Sequence, residues 1–350
     1  MKKSNRVFWS VLGGLTACGI LLSAVGFALG SEPGMVVDAS GIHAITREEQ
    51  TASHAIDQPE TEEFSRVELE TGSAQVEFVP SDHCGFSVQW QGQDSYQWRV
   101  ENGTLTIQRL PREQGNVYLQ LYLPFWELLG ESHKVTVYYP AEAPLETVSI
   151  SGSGDDFALE NLNANRLEIN NDYGDISLLN VTAQEAEITA QSGNIHLSSG
   201  EIGQLSLTDE YGDVSLEQVT AQALSAQLSS GNFTASGCSA DTVQVEDLYG
   251  DVTLEEATVG NLKISCQNGA ITAQGDLGGG TIESQYGDVF YRTSRPETDF
   301  SYTALCSAGE ILLNGAEQET QAVQGSGGTE TLTVSSKSGD VGLEFGKAAS

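Results

Sequence analysis

The chain has 350 residues, enough for one long domain or two ordinary ones. It carries 49 acidic residues against 15 basic ones, a net charge of −34, and so repels phosphate backbones: nucleic-acid partners are excluded. Apolar residues stand at 39%, and 38 glycines without a G-X-Y run and only five cysteines exclude a collagen or a disulfide-dense scaffold.

Residues 1–6 hold Lys2, Lys3 and Arg6, and residues 7–30 then run for 24 positions without a charge. A helix of that length spans roughly 36 Å, enough for a hydrocarbon core of about 30 Å. The basic flank precedes the run and Glu32 follows it. The positive-inside rule then predicts a single-pass signal anchor in the cell membrane, with residues 1–6 cytoplasmic and the bulk of the chain extracellular. Two processed forms stay open: cleavage at Ala28-Leu29-Gly30, and lipidation of Cys18 within Leu15-Thr16-Ala17-Cys18-Gly19. Residues 31–63 are polar and aperiodic and read as a disordered acidic linker. His43 and His54 lie there without partner cysteines and read as solvated side chains.

Residues 64–146 predict a small β module with a cap. FSRVELETGSAQVEFVP alternates apolar and polar positions, and FSVQW, YQWRV, GTLTIQRL, VYLQLYLP and KVTVYYP follow in the same style. Asn102-Gly103 is a hairpin signal. Phe125-Trp126-Glu127-Leu128-Leu129 is the most apolar patch outside the membrane segment. It reads as a loop folded over the end of a core, with Phe125 and Trp126 as partner-site candidates should it be exposed.

Residues 147–345 are a repeat, with 346–350 as a tail. Tyr-Gly-Asp recurs at 173–175, 211–213, 249–251 and 286–288, at spacings of 38, 38 and 37. Midway stand Ser192-Gly193-Asn194, Ser230-Gly231-Asn232 and Asn268-Gly269-Ala270. The marker glycines from Gly154 to Gly287 are therefore 18 to 20 residues apart, and Gly309 and Gly339 follow at 22 and 30. Apolar residues return with the same period: Leu167, Ile169, Ile176, Leu178 and Val181 in one unit, Leu205, Leu207, Val214, Leu216 and Val219 two units on. A spacing of two within each pair means strands with one buried face. Each unit is strand, turn, strand, corner, and only stacking of units buries the faces. The prediction is an all-β chain: a parallel β-solenoid of about ten coils of about 19 residues, after the β module and the transmembrane helix; the alternation of Tyr and Ser leaves a 38-residue coil, with the tyrosines stacked directly, as the alternative. The turn glycines are expected to supply positive φ. Ser335 and Phe345 bracket the last predicted strand pair, no apolar cap follows, and these strands are expected to be exposed, an edge that could pair with another chain.

With its basic-flanked anchor ending GFALG, the module GSAQVEFVP…GTLTIQ…VYLQLYLP and the serial YGD and SGN turns, the chain resembles the bacterial "putative adhesin" family of membrane-anchored β-solenoids. The resemblance covers nearly the whole chain. It implies a surface role in adhesion or envelope sensing and supplies no catalytic residues.

Two columns of the repeat are candidate sites. Asp175, Asp213, Asp251 and Asp288 are calcium candidates, with Asp172, Asp209, Glu210, Glu246, Asp247 and Glu283 nearby. The competing reading is a solvated ladder of turn residues, since every second position is Asn or Ala and the nonapeptide calcium repeat is absent. Tyr173, Tyr211, Tyr249 and Tyr286 form an aromatic stripe that either binds a ligand or shields the turns. Cys84, Cys238, Cys266 and Cys306 read as buried free thiols, with Cys266 and Cys306 two coils apart. A β-helix polysaccharide lyase or hydrolase is the enzyme alternative. It would need an acid pair or a basic cluster that breaks the repeat, whereas Arg292 and Arg295 have no matching His or Lys and His196 stands alone. The expectation is a non-catalytic, cofactor-free protein presenting an acidic surface to an envelope protein, a cell-wall polymer, or a host or neighbouring cell.

Overall fold

A computed structural model describes residues 34–38, 41–45, 52–71, 74–91, 94–110, 119–122, 133–141, 143–154 and 156–346. The predicted anchor at 7–30 and the patch at 125–129 lie outside these residues. Among the described residues no helix is long and apolar enough to cross a membrane. The chain is all-β, its one described helix being the 3-10 turn Glu297–Asp299.

The described residues divide into two compact units. The smaller draws on the segment up to Ala55, on Gln89–Ser95, and on the stretch from Leu110 to Ser132. Within it, Gly34–Asp38 pairs antiparallel with both Gly41–Ile45 and Leu119–Tyr122, Val36 standing opposite His43 and Gln120. Elsewhere in residues 31–63, Ser53–Gln58 is a further strand. The stretch read as a disordered linker therefore contains strands. Its partner Leu119–Tyr122 lies some eighty positions away, so no local alternation reports the pairing.

The larger unit is a stack of parallel coils. From Phe157 to Tyr249 each coil is a four-residue strand, a corner, a strand of nine to eleven residues and a turn: Phe157–Glu160 then Asn163–Tyr173, Ile176–Leu179 then Thr182–Ser192, Ile195–Ser198 then Glu201–Tyr211; in the next coil both strands run together as Val252–Asn268. Partners in adjacent coils differ by 19, as in Leu167↔Ala186↔Leu205↔Leu224↔Val243↔Leu262 and Ile176↔Ile195↔Val214↔Phe233↔Val252. The coil is thus 19 residues, and the alternation of Tyr and Ser is a pattern laid over it. Every residue in those two columns is buried, giving an aliphatic core one coil deep at each level. Volume is balanced within coils. Around one turn Phe233 is flanked by Ala226 and Ala235, where 19 residues earlier the smaller Val214 is flanked by Leu207 and Leu216.

Chain order fails at both ends of the stack. Arg66–Glu70 lies between Thr104–Leu110 and Leu145–Gly152, so that Val67 pairs with Leu105 on one side and Val148 on the other. Ala74–Ser81 lies likewise between Lys134–Pro140 and Phe157–Glu160. These strands of the predicted β module are therefore continuous with the repeat; they escaped the period because they lack the marker turns. At the other end Glu330–Ser338 inserts between Gly280–Tyr286 and Phe300–Cys306, and Val341–Gly346 between Val289–Pro296 and Ile311–Leu313.

The last strands in sequence are thus not the last in space, which corrects the expectation of exposed final strands. The outermost strands are covered by antiparallel returns, Ala322–Gly325 on Phe300–Cys306 and Ala316–Gln318 on Ile311–Leu313. Asn314 and Gly315, at φ 50° and 77°, turn the second return. There is also an apolar cap: Phe345 packs against Tyr291, Phe300 and Tyr302 with ring centroids 6.4, 5.2 and 5.1 Å away. The Tyr291 hydroxyl donates to the carbonyls of Leu277 and Gly278 at 2.9 and 2.8 Å.

Candidate functional site

The turn after each long strand carries both candidate columns. Its glycines are required chiefly by proximity. A Cβ on Gly212 or Gly250 would lie 1.9 or 1.8 Å from the carbonyl oxygen of Gly193 or Gly231 in the coil before. Positive φ holds at Gly174, Gly193 and Gly231 but not at Gly212, Gly250, Gly269 or Gly287, so the expectation of positive φ is met at only some turns. The left-handed column is at the corner instead: Asn161, Asn180, Ser199, Gln218, Gly237 and Glu256, φ 51° to 62°, each 19 after the last.

The Asp column is used internally. Oδ1 of Asp175 accepts the backbone N–H of Asn194 at 2.7 Å, and Oδ1 of Asn194 accepts that of Asp213 at 3.0 Å. Asp213, Asn232 and Asp251 continue the series, and Asp288 accepts from Asp340 at 2.8 Å. Asn194 and Asn232 also donate Nδ2 to the Asp Oδ1 of the preceding coil, at 3.1 Å in both cases. An Asn between two aspartates therefore satisfies the coil on each side and separates like charges by two coil heights, about 9.6 Å. Among the described residues no group of three or more His, Cys, Asp or Glu converges as a metal set. The four calcium candidates each spend one carboxylate oxygen on a neighbouring N–H.

The tyrosines do not pack against one another's coils. Tyr173, Tyr211, Tyr249 and Tyr286 are 56, 62, 59 and 59% exposed. Tyr173 and Tyr211 both pair with Ser192, and Tyr249 and Tyr286 both pair with Asn268, so tyrosines occupy every second coil of one edge. Beside this column runs a depression of about 430 Å³ whose lining includes Glu210, Gln227, Glu246, Leu248, Gln267 and Gln285.

Two carboxylates that look like part of the exposed acidic crowd are buried under this edge. Asp209 and Asp247 are 1 and 3% exposed, in the inward column Asn171↔Ala190↔Asp209↔Leu228↔Asp247↔Cys266. Their Oδ1 atoms accept the N–H of Tyr211 and Tyr249 at 3.1 and 3.0 Å, while their Oδ2 atoms have no hydrogen-bond partner. Burial pushes the Asp209 carboxyl up to about 7 against the opposing Tyr211 N–H, with the Asp213 and Glu210 charges adding to the rise. Burial likewise raises Asp247 to about 6. The signal was in the alternation: Asp209 continues the inward parity of Leu205 and Leu207.

The remaining readings are placed as follows. Cys84, Cys238, Cys266 and Cys306 are free and buried. Cys266 and Cys306 are separated by Ser284 and Ser336, hence three coils apart and not two, because Glu330–Ser338 intercalates. Arg292 pairs with Glu344 at 2.6 Å, and Arg295 with Asp276 and Glu330 at 2.7 and 3.3 Å. Arg166 is ringed by Glu168, Glu185 and Glu187. His54 is exposed but stacks on Trp90, with centroids 5.4 Å apart.

No curated protein matches the chain. Among solved structures, a "putative lipid binding protein" from Parabacteroides distasonis ATCC 8503 shares 12% identity over 83% of this chain and 96% of its own, with a TM-score of 0.45. A "putative adhesin" from Bacteroides fragilis NCTC 9343 shares 16% over 84% and 98%, at 0.35. A "putative cell adhesion protein" from Clostridium sporogenes ATCC 15579 shares 9% over 84% and 99%, at 0.27. The model of the Toastrack DUF4097 family matches residues 64–273 and 201–344, the length of the coil stack, and the chain belongs to that family.

Proposed function

We propose that the protein is a non-catalytic, adhesin-like surface module: a β-solenoid held outside the cell by the apolar segment at 7–30, whose tyrosine edge engages a component of an envelope or a neighbouring surface. The observation that carries this reading is the set of four tyrosines, each more than half exposed, held in one column by a hydrogen-bonded stack. Large aromatic rings exposed in a row cost solvation that a monomer does not ordinarily bear, and they are the residues that anchor contacts. The backbone beneath them is set by stacked glycines and an Asx ladder, so the rings are presented at fixed spacing.

The test uses the tetrasubstituted chain Tyr173→Ser, Tyr211→Ser, Tyr249→Ser, Tyr286→Ser. Serine already occupies this column at Ser192 and Ser230, so the coil accepts it without rearrangement. The full-length variant is expected to keep its melting temperature and to lose at least tenfold in binding to isolated envelopes. Undiminished binding by a folded variant would remove the tyrosine edge from the account.

A further inference from the structure

We infer that the tyrosine edge binds an uncharged β-1,4-linked glycan strand; the inference rests on the reading of that edge as the contact surface. Three observations narrow the ligand.

The first is the period. Tyrosines recur every second coil, about 9.6 Å apart, and four of them cover about 29 Å. A ligand that meets all four in the same way must repeat its own shape at that distance along a straight axis. In a β-1,4-linked pyranose chain each ring is turned over relative to the last. The same C–H face therefore returns once per disaccharide, a length close to two coil heights, and that face is apolar enough to pack on a phenol ring. An extended peptide repeats every two residues, about 6.8 Å, and falls out of step with the tyrosines at once. A polyproline II peptide returns every three residues, about 9.3 Å, so spacing alone does not reject it.

The second observation rejects the polyproline peptide. Such peptides are recognised in apolar, aromatic-lined grooves. Here Ser192, Ser230 and Asn268 stand between the rings, and the neighbouring column runs Asp172, Gln191, Glu210, Ser229, Leu248, Gln267 and Gln285, polar throughout but for the exposed Leu248. Amides and hydroxyls interleaved with rings match a ligand that offers an apolar face and a rim of hydroxyls.

The third is charge. Asp175, Asp213, Asp251 and Asp288 lie two residues after each tyrosine, on a chain of net charge −34. A uronate, sulfate or phosphate polymer would be repelled along its whole length.

The experiment is isothermal titration of the full-length, detergent-solubilised protein with cello-oligosaccharides and N-acetylchito-oligosaccharides of two to eight sugars. A proline-rich decapeptide and an oligogalacturonate are titrated alongside. Each added disaccharide reaches another tyrosine, so affinity for one of the neutral series is expected to climb about 3- to 10-fold per disaccharide up to eight sugars. In the variant Tyr211→Ser, Tyr249→Ser the climb is expected to vanish between two and six sugars, which no longer reach a second tyrosine, and Phe at the same positions should retain it. Affinity that is flat with length, absence of neutral-glycan binding, or tighter binding of the decapeptide or the polyanion would overturn the glycan assignment. If envelopes are still held in a tyrosine-dependent way, the contact surface stands and only its ligand is wrong. If the tetrasubstituted chain holds envelopes undiminished, the surface itself is wrong.

Discussion

At the scale of single residues, the buried carboxylates give the sharpest expectation. Asp209 and Asp247 are raised to about 7 and about 6 by burial, above the ordinary 3.8 that they regain on unfolding. Between those values the folded chain holds protons that the unfolded chain has released, so these groups lower stability as pH rises from about 4 to 7. Asn171 occupies the same inward column two coils before Asp209 and donates Nδ2 to the Gly174 carbonyl at 3.1 Å. Asp209→Asn should therefore raise stability by on the order of 2 kcal/mol at pH 8, with the gain shrinking toward pH 5. Thermal melts at both values check this; a gain that does not depend on pH would count against a buried ionisable group. The corner column gives a second expectation. Glu256 is exposed and left-handed at φ 51°, where Gly237 stands one coil earlier. Glu256→Gly should stabilise the chain by about 0.5–1 kcal/mol in urea unfolding, because the relief of αL strain exceeds the added chain entropy. Loss of stability there would mean that Glu256 makes a contact of its own.

At the scale of elements, the repeat was legible because three signals share one period: the marker glycine, the inward apolar pairs and the Asx residue. Strand, turn, strand and corner follow from them; the apolar pairs favour a 19-residue coil over one of 38, and the strand register decides it. What the glycines do was only half legible. Positive φ is a property of one residue and its local chain, whereas the approach of Gly212 to Gly193 is made by a neighbouring coil. The role of the Asp and Asn alternation was hidden for the same reason, since each side chain caps an N–H 19 residues later in sequence. The tyrosine column was found from spacing alone. Its exposure was not, because an edge residue and a shielded turn residue read alike in one sequence. Asp209 and Asp247 could have been found, since inward parity places them, but surrounding charge masked the pattern.

At the scale of the whole coil stack, chain order at the two ends was invisible to periodicity. The insertion of Arg66–Glu70 and Ala74–Ser81 at one end, and of Glu330–Ser338 and Val341–Gly346 at the other, places each terminal segment of the stack inside it. Winding in sequence order would leave the last strands as an unpaired parallel edge, open to other chains. Intercalation instead leaves an edge that folds back on itself through Ala316–Gln318 and Ala322–Gly325. Truncation before Glu330 should therefore do more than shorten the stack. It removes the strand that joins Gly280–Tyr286 to Phe300–Cys306, together with Phe345 from the aromatic cap. The truncated chain is expected to melt at least 10 °C lower and to aggregate, as followed by circular dichroism and light scattering. A melt within 2 °C of the intact chain would show that the intercalated coil is dispensable.

The central claim is that the tyrosine column is the face through which this stack meets its target. The most direct measurement is hydroxyl-radical footprinting of the full-length protein, free and bound to isolated envelopes, read by mass spectrometry. Bound protein is expected to be protected at Tyr173, Tyr211, Tyr249 and Tyr286 together, with Trp98, 39% exposed and not a member of the column, oxidised as before. Oxidation of the four tyrosines at an unchanged rate while the protein is held on the envelope would contradict the claim.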